Sequence, residues 1–325
     1  MTTPATSQGA RTRVAVVGGG QSCEHEVSLA SAAAVAAALD PTAYDVVRLT
    51  IARDGRWASG DRALGLGEAV TVLQSCAAVL PVVHGPRGED GSLAALCELA
   101  GVAYVGSGVG AGALAMDKWA TKLVAGALGI ATAPGVLLTA ATATSYAWTH
   151  PVVVKPVAAG SSHGVSLVGD PSRLADALAA ALALDDRVLV EDVVAGREVD
   201  VAVLGGPDGT RVVSPALEVV VDGWFDYEAK YAGGADFRVP AALSDAERCA
   251  LEEAALAVYD ALGCAGVARV DCFVTGDGPV LNEVNTMPGF TEQSQVPRMF
   301  AAAGMSYADL LDRLVRDVLP GRAVS

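Results

Sequence analysis

Residues 267–286 read VARVDCFVTGDGPVLNEVNT. Two alternating runs, 267–274 and 280–285, flank the Gly-rich stretch 275–279, a spacing that predicts an antiparallel hairpin. Side chains two apart on a strand share a face, so Glu283 and Asn285 point the same way, as do Arg269 and Asp271. With Val274 opposite Val280 as the closing pair, Asp271 lies directly across from Glu283. Three oxygen ligands then converge beside a guanidinium. Hard Mg2+ takes carboxylate and amide oxygens together with substrate phosphates, and this set lacks the His and Cys that zinc favours. A solvated strand face would also alternate. However, the chain's only two asparagines, Asn282 and Asn285, both fall here, a costly coincidence for a merely wet surface.

Working outward, the lysines are as sparse as the asparagines. They stand at 118, 122, 155 and 230, while 18 of the 22 basic residues are arginines. A chain that uses arginine for generic charge keeps lysine where a compact ammonium is needed, as on phosphate. Lys155 opens KPVAAGSSHG (155–164), a loop of small residues whose backbone N–H groups can approach an anion closely. It lacks the GxxxxGK[ST] of a Walker A loop, which disfavours P-loop chemistry. The N-terminal VAVVGGGQSCEHEVSL likewise lacks GxGxxG, which disfavours dinucleotide binding. Glu24 and Glu26 follow that glycine turn at a helix start, where carboxylates complement the dipole. HGPRGEDG (84–91) leaves a strand end, where α/β folds place ligand contacts. WFDYEAKY (224–231), followed by two glycines, reads as a mobile lid.

The rest of the chain supplies the scaffold. A strand at 13–17, the glycine turn and a helix at 27–39 open an α/β lobe with further strands at 44–51, 77–83 and 103–105 and a helix at 92–100. A helix at 117–128, strands at 151–155 and 166–168, and a helix at 171–184 follow, and strands near 188–191 and 199–204 lead into the hairpin. With 325 residues, 52% of them hydrophobic, the chain can build two or three lobes. A net charge of −15 repels nucleic acid and anionic lipid and leaves a small molecule as the better partner. No signal peptide or membrane span is evident, so cytoplasmic residence is expected. The six scattered cysteines include no CxxC pair, which argues for reduced thiols.

Taken in order, GGGQSCEHEVSL, RDGRW, HGPRGEDG, YVGSGV, AMDKWATK, VVKPVAAGSSHG, VEDVVAGRE, FDYEAKY, RVDCF and LNEVNTMPGFTEQSQVP resemble the D-alanine:D-alanine ligases of the ATP-grasp superfamily, across nearly the whole chain from Arg13. The resemblance implies an α/β chain with a Rossmann-like N-terminal lobe (1–106) before a two-lobed α+β ATP-grasp (107–190 and 191–325). It implies ATP-dependent joining of two D-alanines through an acyl phosphate, for peptidoglycan precursor synthesis, by a homodimer. Lys118, Lys155 and Lys230 would hold nucleotide phosphates, Glu191, Asp192 and Val194 would line the adenine site, and Glu198 would hold the ribose. Asp271, Glu283 and Asn285 would bind two Mg2+, with Mn2+ as a substitute. Glu24 would take the first D-alanine's ammonium, with Ser161 and Tyr231 beside it. Arg269 and the Gly289 amide would form an oxyanion hole, and His84 and Ser294 would contact substrate. Ala94 and Ala95 stand where Gln-Gly is usual, His163 replaces a small apolar residue, and Phe290 replaces Met. A related ligase using D-lactate or another acceptor is the nearest rival, and a non-catalytic ATP sensor is a more distant one.

Overall fold

The computed structural model describes residues 11–221 and 235–319. The expected lid with Lys230 and Tyr231 lies outside those residues. In chain order the elements are β1 (Thr12–Gly19), α1 (His25–Ala38), β2 (Tyr44–Ile51), β3 (Trp57–Ser59), β4 (Arg62–Leu64), α2 (Leu66–Gln74), β5 (Ala78–Pro81), α3 (Ser92–Ala100), α4 (Val109–Met116), α5 (Lys118–Ala127) and β6 (Ala131–Thr132). Next come β7 (Gly135–Thr139), α6 (Ala140–Ala143), β8 (Val152–Pro156), β9 (Ser166–Val168), α7 (Leu174–Leu182) and β10 (Arg187–Asp192). The last group is β11 (Arg197–Gly205), β12 (Arg211–Val213), β13 (Leu217–Val221), β14 (Ala235–Arg238), α8 (Asp245–Leu262), β15 (Gly266–Thr275), β16 (Gly278–Asn285), α9 (Gln295–Ala302) and α10 (Tyr307–Val318).

Among the described residues the strands form three sheets. The first has the order β4-β3-β2-β1-β5, parallel where β1 meets β2 and β5 and antiparallel through β3 and β4. Its β1 is a buried apolar run, as a strand covered on both faces should be. The glycine turn after it is set by close approach. A Cβ at Gly18 would overlap that of Ala32 on α1, and Gly19, at φ +90°, lies against the Ile51 carbonyl. The expected strand at 103–105 shrinks to a single bridge between Tyr104 and Val79. The helix expected at 171–184 begins as a 3₁₀ turn at Pro171–Arg173, because proline lacks the N–H and Asp170 accepts from Ser172 N.

The second sheet, β7-β10-β8-β9, is antiparallel and closes over α7. The third runs β14-β13-β11-β15-β16-β6, with β12 beside β11. One of its faces, carrying Val199, Val201, Val203, Val270, Cys272 and Val284, packs on Leu251, Ala255, Val258 and Tyr259 of α8. Helix α8 is well punctuated: Ser244 and Glu247 form a reciprocal capping box, and Gly263 ends it at φ 73°. Ala115 of α4 and Ala125 of α5 join the same core, and β6 pairs parallel with β16. Residues 109–132 therefore dock on the third sheet.

The hairpin forms, but in a different register near its turn. Val274 pairs with Pro279, not Val280, because Thr275 and Gly278 close a tighter two-residue turn with Gly278 at φ +115°. Continued unbroken, that register would set Asp271 against Asn282. A bulge between Asp271 and Cys272 admits one extra residue on β16 and restores the pair Asp271↔Glu283, with Arg269↔Asn285 beyond it.

Candidate active site

The bulged hairpin and β11 present one polar face. Asp200 on β11 lies opposite Asp271, and Glu198 lies opposite Phe273. Period-two alternation sends these side chains away from α8, and where the apolar residues of this face end, the polar ones line two cavities. The first cavity, of about 380 Å³, is bounded by Glu24, His84, Glu89, Ser161, Gly289 and Ser294 among others. The second, of about 500 Å³, is bounded by Lys155, residues 191–198, Asp271 and Asn282. Lys118, Ala159, Arg269, Glu283 and Gln295 line both, so the two cavities adjoin at a cationic and carboxylate wall.

Two of the scarce lysines, Lys118 and Lys155, line the second cavity. All three described lysines are buried. Lys155 reaches Glu191 Oε2 at 2.6 Å and donates to Asn282 Oδ1 at 3.1 Å. Lys122 holds the other Glu191 oxygen at 2.5 Å and lies outside both cavities. Burial alone would raise the Glu191 pKa, but Lys155 and Lys122 outweigh it and hold the carboxyl below its ordinary range. Lys118 pairs with Glu283 at 3.0 Å and donates to the Ala159 carbonyl at 2.9 Å. Burial disfavours its ammonium, yet Glu283 raises the pKa overall. Asp192 Oδ1 accepts from His150 Nε2 at 2.8 Å, and Val194 and Glu198 also line this cavity.

Around Arg269 the bonds are short. Its Nε and Nη2 donate side-on to Asp271 at 2.6 and 2.7 Å, and Asn285 Nδ2 donates to the same carboxylate at 3.0 Å. Burial opposes the guanidinium charge, and Asp271 and Asp200 more than restore it.

In the first cavity Ser161, at φ 52°, donates its hydroxyl to Glu24 Oε1. The second oxygen, Oε2, is buried and has no protein partner among the described residues. His84 Nδ1 lies 2.8 Å from the Met287 carbonyl and Nε2 3.1 Å from Ser31 Oγ. Both ring nitrogens are therefore taken, and burial lowers the histidine's pKa. Glu89 accepts the backbone N–H groups of Gly85 at 2.7 Å and Met287 at 3.0 Å, joining the HGPRGEDG loop to the segment before Gly289. Burial, reinforced by the Glu24 charge, pushes its pKa up to about 7. Ser294 Oγ accepts from Thr291 N at 3.0 Å at the start of α9.

The sequence reading assigns no site role to Lys122, Asn282, Asp200, Gln295 or Glu89. The rarity of lysine and asparagine was signal enough for the first two. Asp200 sits between Val199 and Val201 in the buried part of the strand REVDVAVLG, where a buried acid asks for a partner. Gln295 and Glu89 carry no such mark.

Two adjoining cavities, one walled by buried lysines and one by a buried carboxylate, on a Rossmann-like lobe followed by two further sheets, are the arrangement that an ATP-grasp ligase requires. The family model described as D-ala D-ala ligase C-terminus matches residues 129–316, and that for the N-terminus matches 13–74 and 66–107. The D-alanine–D-alanine ligase of Rhodococcus opacus is 41% identical, with 95% of this chain and 97% of the relative covered. That of Nocardia farcinica is 40% identical with the same coverage. Among solved structures, the VanG D-Ala:D-Ser ligase of Enterococcus faecalis superposes with TM-score 0.80 at 33% identity, covering 94% of this chain and 99% of that one. The Bacillus anthracis D-alanine–D-alanine ligase complexed with ATP gives TM-score 0.78 at 27% identity, with 95% and 97% covered. The chain belongs to the D-alanine–D-alanine ligase family.

Proposed function

We propose that this chain joins two D-alanines into D-alanyl-D-alanine at the expense of ATP, as a step toward peptidoglycan precursors. The supporting observation is the buried Glu24 Oε2, which has no protein partner among the described residues and lies in a small cavity that shares Lys118 and Arg269 with the lysine-lined cavity. A buried unpaired carboxylate oxygen is costly unless a ligand completes it, and an ammonium group does so.

A free carboxylate resists attack by an amine. The first D-alanine's carboxylate oxygen therefore attacks the γ-phosphorus of ATP, the bond to the β-phosphate oxygen breaks, and ADP leaves behind an acyl phosphate. Lys118 and Lys155 neutralise phosphate charge, with Lys230 as a third expected partner outside the described residues. The second D-alanine's neutral amine attacks the acyl carbon, forming a tetrahedral oxyanion. Arg269 and the Gly289 amide stabilise that oxyanion, and its collapse expels inorganic phosphate while the amine gives up its proton. Glu24 and Ser161, with Tyr231 expected to join them, hold the first substrate, and Ser294 at the start of α9 meets the second substrate's carboxylate. His84, its nitrogens already bonded, shapes the wall. Residues 191, 192 and 194 border the adenine and Glu198 the ribose.

Asp271, Glu283 and Asn285 form the hard-oxygen set that suits Mg2+, and two of these side chains are already drawn together by the Asn285–Asp271 bond. Mg2+, when bound there, would offset phosphate charge. The homodimer and the cytoplasmic setting are part of the same reading, as are lobe boundaries near 106/107 and 190/191, although residues 109–132 pack on the third sheet and β10 runs across the second boundary. No helix of the described residues is long and apolar enough to cross a membrane.

The test is phosphate release by the purified chain with ATP and Mg2+ against a panel of acceptors. D-alanine alone should support turnover and yield the dipeptide. Release only with D-lactate or D-serine as second substrate would replace the acceptor, and no release with any D-amino acid would favour an ATP sensor.

A further inference from the structure

Arg269 is held at a second point, through a relay that reaches the neighbouring strand. Its Nη1 donates to Gln295 Oε1 at 2.5 Å, and Gln295 Nε2 donates to Asp200 Oδ2 at 2.8 Å. Asp200 is 1% exposed and Gln295 8%. The Asp200 carboxylate lies 3.8 Å from Arg269 Nε, beyond a hydrogen bond, so the glutamine amide makes the link. Its orientation is forced. A guanidinium only donates, so it must face the amide oxygen, and an ionised carboxylate only accepts, so it must face the amide NH2.

The relay adds what Asp271 cannot supply alone. Asp271 holds one edge of the guanidinium, but its oxygens are shared with Asn285 Nδ2. The Nη1 anchor fixes the plane from the other side, and it does so from the first residue of α9, next to Ser294 and at the wall common to both cavities.

We propose that Asp200 and Gln295 are positioning residues for Arg269: they aim its guanidinium at the meeting point of the two cavities and lock the start of α9 to it. Both side chains border the second cavity only where it meets the first, at Arg269, so turnover depends on them far more than nucleotide binding does. The inference rests on the reading of Arg269 as the oxyanion partner.

The test uses the full chain with Asp200→Asn, which is isosteric and lets the amide turn round, and Gln295→Met, which removes the link. Each should lower kcat for D-alanine-dependent phosphate release about tenfold, a barrier increase of about 1.4 kcal/mol, with KM for ATP within about twofold. Because the links act in series, the double variant should lose no more than the worse single one. In the substrate-free protein, hydrogen exchange at the Arg269 Nε–H, identified by its loss in Arg269→Lys, should quicken at least about tenfold in either variant. Folded variants with unchanged kcat and unchanged Nε–H exchange would overturn the proposal. So would ATP KM rising in step with lost turnover, or single losses that multiply. If Gln295→Met fails to fold, Asp200→Asn decides alone. If the unchanged chain ligates no D-amino acid, the ligase reading fails while the exchange measurement still decides the relay.

Discussion

Glu24→Gln should make this protein more stable and a far poorer catalyst. In the substrate-free chain the Glu24 carboxylate is nearly buried; one oxygen accepts from Ser161, and the other has no protein partner among the described residues. Glutamine keeps the shape and can still accept from Ser161, but it removes a buried charge. An unsatisfied buried group costs about 1–3 kcal/mol, more when charged, so the variant should gain at least about 1 kcal/mol and melt a few degrees higher. With substrate the sign reverses. Hydrogen bonds to charged groups contribute about 1.5–3 kcal/mol, and breaking one side of a buried ion pair costs about 3–5 kcal/mol. A loss near 3 kcal/mol corresponds to roughly a hundredfold rise in KM for the first D-alanine. Calorimetry of the free protein and phosphate release against D-alanine concentration give both numbers. A variant that melts lower and keeps its KM within about threefold would refute the idea that this oxygen waits for an ammonium group.

Two further outcomes follow from the same wall. Gly160→Ala would press a methyl group onto Glu24 Oε2, which should cost about 1–3 kcal/mol of stability and raise KM for D-alanine, as melting and initial rates would reveal. Glu89, raised to about 7 in the folded chain by burial and then by Glu24, should titrate near that value in a carboxyl NMR experiment. Since the unfolded chain releases this proton near the ordinary value of about 4.3, the folded state binds the extra proton between the two, and this group's contribution to stability should be lost as pH rises toward 7. A midpoint below about 5 would contradict it.

Much of the molecule was legible in the residues themselves. Some strand and helix positions followed from period and punctuation: β2 and α3 match their expected bounds, whereas the sequence reading assigns no helix at 245–262, although Ser244, Glu247 and Gly263 mark the ends of α8. Rarity pointed to the site, since Lys118, Lys155 and both asparagines line its two cavities. Local reading failed where non-local contacts decide. The register near the hairpin turn was off by one, and Asp271 met Glu283 only because the bulge returned the missing residue.

By itself, the sequence determined the α/β character and the residue types available for phosphate and metal, because periodicity, turn chemistry and scarcity act over short separations. The tertiary structure alone decided how those residues are shared. It divides Glu191 between two lysines, leaves one Glu24 oxygen without a partner among the described residues, and bridges Arg269 to Asp200 through a glutamine 26 positions from the one and 95 from the other. Such pairings depend on desolvation and close approach across separate strands, and no local pattern encodes those terms.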